Sequence, residues 1–268
     1  MQGILPKWSG NAGNNEKVRN PLMLKVTIIT VVRNCRAEIA ECIESVLAQT
    51  YENIEYIVID GVSTDGTLEI IQSYQDRITR IISEKDTGPY DAMNKGLKLA
   101  SGDIVGFLHA DDFYAGPKVI EDVVSKMAEA ETDSLYGDLV YVQRRHIDRV
   151  VRRWRSGEFK KDSFRLGWMP PHPTFFAKKT IYEKWGGFDT TFRIAADYDL
   201  LLRFLYRGGI STVYLAEVFI HMRWGGLSNR DASHLLKKSI EDYRVCRRYG
   251  LGLGTLVLKN VSKIAQFF

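Results

Sequence analysis

Residues 54–72 read IEYIVIDGVSTDGTLEIIQ, and this stretch decides the fold. From Ile54 to Ile59 it is an apolar, β-branched run interrupted by Glu55, which predicts a strand covered on both faces. The run stops at an acid, Asp60. GVSTDG then supplies turn chemistry, and Leu68, Ile70, Ile71 and Tyr74 return at helical spacing, so a strand, a turn and a helix follow one another within one short segment.

The same unit recurs on either side. Lys25–Val32 (KVTIITVV) reads as a strand, and Ala37–Ala48 places Ile39, Cys42, Ile43, Val46 and Leu47 on one helical face. Ile78–Ser83 is a third strand and Tyr90–Ala100 a third helix. Ile104–His109 is a fourth strand that runs into Asp111-Asp112, followed by a helix near Lys118–Ala130 and a strand around Ser134–Val142. Repeated β/α units predict an α/β fold with a mostly parallel, doubly wound sheet. After about residue 140 the regularity fails: a basic stretch, the Pro-rich GWMPPHPTFF (167–176), helices at Lys179–Trp185 and Asp197–Tyr206 and a strand at Thr212–Val218 form an α+β second half. Residues 231–268 read as two helices broken at Gly250, Gly252 and Gly254, and residues 1–22 as a flexible extension.

The 268 residues, 45% hydrophobic and 26% charged, suffice for a large core, which excludes a disordered tail or a mini-protein. The net charge of +4 is unevenly spread. Nine basic residues against three acidic ones lie between Arg144 and Arg165, and eight against three from Arg230 onward, so the remainder is net negative. Local positive charge of this kind suggests an anionic partner. Cys35, Cys42 and Cys246 form no C-x-x-C pair, which fits a reducing, cytoplasmic setting. Neither a membrane-spanning run nor a secretory signal is expected.

Ligands of open parallel sheets bind beyond the carboxyl ends of the strands. Three strands here end in acids: Asp60, Asp86 and the pair Asp111-Asp112. Adjacent carboxylates after an apolar strand are costly unless a positive charge joins them. Mg²⁺ or Mn²⁺, completing its shell with water and phosphate oxygens, supplies that charge and implies a metal diphosphate; the bland alternative makes Asp112 a cap for the next helix. No Gly-x-x-x-x-Gly-Lys-Ser/Thr loop is present, and Val31-Val32-Arg33-Asn34 stands where a dinucleotide-binding glycine motif belongs. Asp197 and Asp199 open a helix, and both cannot cap it. One of them is therefore free to act as a general base.

The ordered series VTIITVVRN, VIDGVSTDGT, SEKDTGPYDAMNKGLKLASGDIVGFLHADD, PPHPTFF, GGFD and ADYDLLLRF resembles family 2 of the inverting nucleotide-sugar glycosyltransferases, of the bacterial polysaccharide-biosynthesis type, over about residues 25–228. The resemblance implies a GT-A fold over 23–228, with a C-terminal helical tail over 229–268. It places Asp60 and Asp86 at the nucleoside, although Gly61 and Val62 replace the usual acid and glycine. Asp112 becomes the chief metal ligand, Asp111 a ligand of metal or ribose, His109 a replacement for the family's first acid, and Asp197 the catalytic base. His221 and Arg223, before Trp224-Gly225-Gly226, resemble the segment over the donor diphosphate, with His221 adding a metal or diphosphate contact. Arg33 stands where an aromatic often packs on the base.

The implied reaction transfers a sugar from a nucleoside diphosphate, a UDP-sugar being the expected donor, to a hydroxyl of a saccharide or lipid-linked acceptor. His172 and Trp168 are the acceptor-side candidates; each reads equally as packing. Apolar residues from Leu251 to Phe268 interleaved with Lys259 and Lys263 allow an amphipathic helix on the inner face of an anionic plasma membrane, or a helix packed on protein. Two other classes stay open on the residues alone. A sugar-phosphate nucleotidyltransferase lacks its Gly-rich basic loop here, and a nucleic-acid-binding module has the basic stretch but no recognised frame.

Overall fold

In the computed structural model, which describes residues 24–225 and 232–262, the run Ile54–Asp60 is a strand buried at six of its seven positions. Chain order is β1 (Val26–Val32), α1 (Ile39–Leu47), β2 (Ile54–Asp60), α2 (Thr67–Gln72), β3 (Arg80–Ser83), α3 (Pro89–Leu99), β4 (Ile104–Phe107), β5 (Asp112–Tyr114), α4 (Val119–Glu129), β6 (Ser134–Val142), β7 (Val150–Trp154), β8 (Phe176–Lys178), α5 (Lys179–Trp185), α6 (Ala196–Leu201), β9 (Thr212–Arg223), α7 (Ala232–Arg248) and α8 (Leu253–Ser262). The first strands pair in parallel in the order β3-β2-β1-β4, so Val32, Asp60 and Ser83 lie side by side at the carboxyl edge.

Beyond β4 the sheet becomes mixed, which narrows the mostly parallel expectation to its first half. β8 runs antiparallel to both β4 and β6, β9 is parallel to β6, and β5 and β7 are antiparallel additions to β9 and β6. The strand expected at Thr212–Val218 continues to Arg223 because its second half is gripped by β5 on one side and β6 on the other. Asp112 belongs to β5, and α4 begins without a side-chain cap, so the capping alternative for Asp112 does not hold.

Successive residues of β1 and β2 feed opposite faces of the sheet. Ile29 and Ile57 join Met93, Phe107 and Phe188 on one side, while Ile28 and Val58 join Ile43, Ile120 and Val123 on the other. The α6 helix passes into a π-helical turn at Leu202–Arg207, and Leu200, Leu201, Phe204 and Leu205 are all buried behind it. All three cysteines are free thiols.

The C-terminal helices pack on the sheet domain. Lys259 is buried and its Nζ lies 2.7 Å from Asp242 Oδ1 and 3.3 Å from the ring centroid of Tyr198. Arg248 donates to Asp189 at 2.7 Å and Asp199 at 2.8 Å, and Thr255 to the Arg165 carbonyl at 2.9 Å. An amphipathic helix with Lys259 on its wet face is therefore not what forms. Lys259 and Thr255 face inward, while Leu253, Val257 and Val261 at i, i+4 and i+8 are 61%, 58% and 55% exposed. Residues 1–22, Gly226, the boundary at 228–229, Lys263, Ile264, Phe267 and Phe268 lie outside the described residues. Among the described residues, no helix is long and apolar enough to cross a membrane.

Removing one member of a buried ion pair leaves the other charge uncompensated. Lys259→Met should destabilise the protein by roughly 3–5 kcal/mol, and adding Asp242→Leu should recover most of the loss, both measured by urea unfolding.

Candidate active site

The loops after β1 and β2 are laced together. Asn34 Oδ1 accepts the Thr64 N–H at 2.8 Å, the Asn34 N–H reaches Ser63 Oγ at 2.8 Å, and the Arg36 N–H reaches Asp65 Oδ2 at 3.2 Å. Asp60 is fully buried at the base of this lacing, where its carboxylate accepts the Ser63 N–H at 3.1 Å and the hydroxyls of Ser63 at 2.5 Å and Ser83 at 2.6 Å. The expected nucleoside contact thus has its oxygens engaged in shaping the loop. Val62 adopts φ +59°, a left-handed conformation in which a β-branched residue is strained.

Two of the predicted donor residues do converge. A Cβ at Gly61 would collide with Asp86 Oδ2 and lie 3.4 Å from Arg33 Cδ, so glycine here allows both side chains to meet over the loop. Asp86 also accepts the Gly88 N–H at 2.9 Å, which fixes the start of α3. Arg33 is exposed, with its guanidinium available to a planar ring.

At the end of β4 the two acids separate. Asp111 is partly exposed and its Oδ2 accepts from Arg144 at 3.0 Å; Arg144, from the β6–β7 turn, also donates to Glu38 at 2.5 Å. Asp112 is buried, its Oδ1 taken by the Arg223 N–H at 3.2 Å and its Oδ2 left without a hydrogen-bond partner. Burial pushes the Asp112 carboxyl well above the usual carboxylate range, and the charge of Asp111 adds to the effect. Arg223, expected on the diphosphate, is committed elsewhere: it donates to the Asp111 carbonyl at 2.7 Å and to Glu41, and its guanidinium lies 5.0 Å from the ring centroid of Phe113. Ala37, Glu38, Glu41, Arg144, Arg145, Ile147 and Arg223 line a cavity of about 450 Å³ beside this group.

His221 does not join the acids. Its backbone pairs with Phe113 while Asp112 pairs with Met222, so the pleat sends His221 to the opposite face from Asp112, with its ring 5.2 Å from Phe113. Burial, with help from the charge of Arg153, lowers its pKa. Among the described residues no three His, Cys, Asp or Glu side chains gather into a metal-binding group. One accessible carboxylate, Asp111, beside a buried one with an orphaned oxygen suits a divalent ion that takes the rest of its shell from diphosphate and water. The accessible Asp111, rather than Asp112, is the better placed of the two.

Asp197 sits in the first turn of α6, partly exposed, and Asp199 is buried behind it on Arg203 at 3.2 Å and Arg248 at 2.8 Å. The structure thereby decides which acid is structural. Asp197 Oδ1 accepts the Tyr198 N–H at 2.8 Å and the Tyr90 hydroxyl at 3.2 Å; among the described residues no hydrogen bond reaches Oδ2. Burial lowers the pKa of His109, and the carboxylates of Asp111 and Asp197 both oppose that shift. His172 is buried with its ring 6.3 Å from that of His109 and its Nε2 unpartnered; burial takes its pKa down to about 4, against the pull of Asp197. Trp168, by contrast, is packing. Its indole N–H is used by the Ser156 carbonyl at 2.7 Å, and its ring sits 5.5–5.8 Å from Phe164, Phe159 and Tyr136.

Four residues of this site carry no distinguishing signal in the sequence. Tyr90 reads as a helix start, Arg144 as one basic residue among nine, His109 as a lost acid, and Glu241 as a polar residue on a basic helix. Glu241 nonetheless accepts the backbone N–H groups of Arg193, Ile194 and Ala195 at 3.1, 2.8 and 3.0 Å.

Comparison with known proteins finds similarity to glycosyltransferases in sequence and in fold. A glycosyltransferase of Mycobacterium bovis (strain BCG / Pasteur 1173P2), named for PGL/p-HBAD biosynthesis, is 28% identical over 243 residues, 89% of this chain and 91% of that protein. An uncharacterized glycosyltransferase of Mycobacterium tuberculosis (strain CDC 1551 / Oshkosh) is 34% identical over 184 residues, 66% of this chain and 68% of that one. Among solved structures, S. aureus TarS 1-349 superposes with a TM-score of 0.65 at 20% identity over 84% of this chain and 64% of that chain. The mannosyltransferase PcManGT from Pyrobaculum calidifontis, in complex with GDP-Man and Mn²⁺, superposes with a TM-score of 0.60 at 19% identity, covering 82% of this chain and 64% of that one. The fold is that of the GT-A glycosyltransferases. The model of glycosyl transferase family 2 matches residues 27–197, from the first strand to the acid of α6, and the chain belongs to that family.

Proposed function

We propose that the protein is an inverting, metal-dependent transferase that moves a sugar from a nucleoside diphosphate to an acceptor hydroxyl. The observation that carries this is Asp197, partly exposed in the first turn of α6 with its Oδ1 held by the Tyr198 N–H and the Tyr90 hydroxyl and, among the described residues, no hydrogen bond to Oδ2, in a chain of family 2. Asp86 and Arg33 provide the nucleoside end, and Arg144 brings positive charge to the diphosphate end. Asp111, with Asp112 behind it, would hold Mn²⁺ or Mg²⁺, which when bound neutralises charge on the diphosphate.

Asp197 Oδ2 takes the acceptor hydroxyl proton. The acceptor oxygen forms its bond to the anomeric carbon as the bond from that carbon to the phosphate oxygen breaks, and the electron pair leaves with the diphosphate. Attack opposite the leaving group inverts the configuration. His172, neutral through burial and with Nε2 unpaired, is suited to a hydrogen bond with the incoming acceptor. A UDP-sugar is the first donor to test, since TarS has been crystallised with UDP-GlcNAc.

The acceptor in this reading is carried on an anionic membrane. On α7 both acids turn inward, Asp242 to Lys259 and Glu241 to the backbone, while Lys237, Arg244 and Arg247 are exposed together with Leu236 and Ile240. Exposed basic residues on α7, together with the outward apolar stripe of α8, match a lipid surface bearing negative charge.

Asp197→Asn should lower transfer by at least ~10³-fold while nucleotide binding measured by calorimetry stays within ~2-fold, and NMR of the wild-type product should show inversion. Asp111→Asn should abolish the gain in nucleotide affinity produced by Mn²⁺, whereas the wild-type protein loses it only on adding a chelator. In flotation experiments the protein should rise with vesicles containing phosphatidylglycerol and not with phosphatidylcholine alone; a variant with Leu253, Val257 and Val261 all changed to serine should stay behind.

A further inference from the structure

We infer that Glu241, on the C-terminal helix α7, is a positioning residue for Asp197. The segment that leads into α6 has no cap of its own: Ala195 occupies the N-cap position and has no side chain able to accept a hydrogen bond. Its N–H groups are instead collected by one carboxylate from 46–48 residues further along the chain. Glu241 Oε1 accepts from Arg193, and Oε2 accepts from both Ile194 and Ala195. Charge-assisted bonds of this kind to consecutive amides fix both the position and the tilt of the backbone.

The same backbone is held from the other side. The Tyr90 hydroxyl donates to the Ile194 carbonyl at 2.7 Å and reaches Asp197 Oδ1 at 3.2 Å. Ile194 is thus clamped through its N–H by α7 and through its carbonyl by α3. Glu241 is itself anchored, because its neighbour Asp242 is joined to the buried Lys259, whose Nζ lies against the ring of Tyr198, the residue after Asp197. The C-terminal helices therefore form the seat on which the base rests. Glu241 touches no reacting atom; it acts by keeping the Asp197 carboxylate aimed.

This inference rests on Asp197 being the base. The test measures steady-state transfer, calorimetric nucleotide binding and thermal midpoint for Glu241→Ala, Glu241→Gln and Asp197→Asn in the full chain. Misplacing a catalytic group by about 1 Å costs on the order of 100-fold in rate. Glu241→Ala should accordingly lose roughly that much in kcat while the donor KM and nucleotide affinity stay within about 3-fold. Glu241→Gln, which keeps an acceptor oxygen in a side chain of the same length and guards against loss of folding, should recover at least about tenfold of the alanine loss. Unchanged kcat in Glu241→Ala beside a dead Asp197→Asn overturns the positioning role alone. A loss in Glu241→Ala that tracks a falling midpoint and weakened nucleotide binding, with no recovery in the glutamine variant, overturns it as well. Normal turnover in Asp197→Asn overturns the base assignment and this role with it.

Discussion

Parallel pairing of β1 with β2 and β4 gathers negative charge along one edge, and the rest of the site exists to accommodate it. Each acid is handled differently. Asp60 is dissolved in serine hydroxyls, Asp86 anchors the start of α3, Asp111 meets Arg144, and Asp112 is buried against the backbone of Arg223 with one oxygen unsatisfied. Like charges placed this close favour protonation of one member or the arrival of a cation. The arginines come from the far half of the chain, so the mixed part of the sheet is electrically as well as sterically tied to the parallel part.

This dependence explains what was legible in the sequence. The parallel half shows itself because its signals are local: strands buried on both faces must be continuously apolar, and Asp60, Asp86 and Asp111-Asp112 stand directly after them. Boundaries came within one or two residues for α1, β2, α3 and α4. Strand β9 was read short: residues 212–218 are half-buried or exposed, and full burial begins at Phe219, just before β5 joins at Ile220.

Roles that depend on which way a side chain points were not legible. Whether His221 shares a face with Asp112 is a question of pleat and register, and the answer requires knowing that β5 pairs with β9 through Phe113 and His221. Arg223 was placed on the diphosphate because its segment resembles the one that covers the donor in the family; here the aromatic face of Phe113 and the carboxylate of Glu41 hold it. Trp168 was ambiguous for the reason that large aromatics usually are, since the same ring can line a cleft or fill a core. Part of the basic surplus between Arg144 and Arg165 is internal: Arg152 is buried with its guanidinium 4.8 Å from the ring centroid of Tyr141 and 5.3 Å from that of Trp154.

The clamp on Ile194 also orders events during synthesis. A ribosome releases the chain from the amino end, and domains condense as their segments emerge. Strands β1 to β4 are all made before residue 110, whereas the amides of residues 193–195 have no carboxylate to meet until Glu241 has been made. The loop that carries Asp197 is therefore seated later than the parallel strands it faces, by a residue from nearly the far end of the chain.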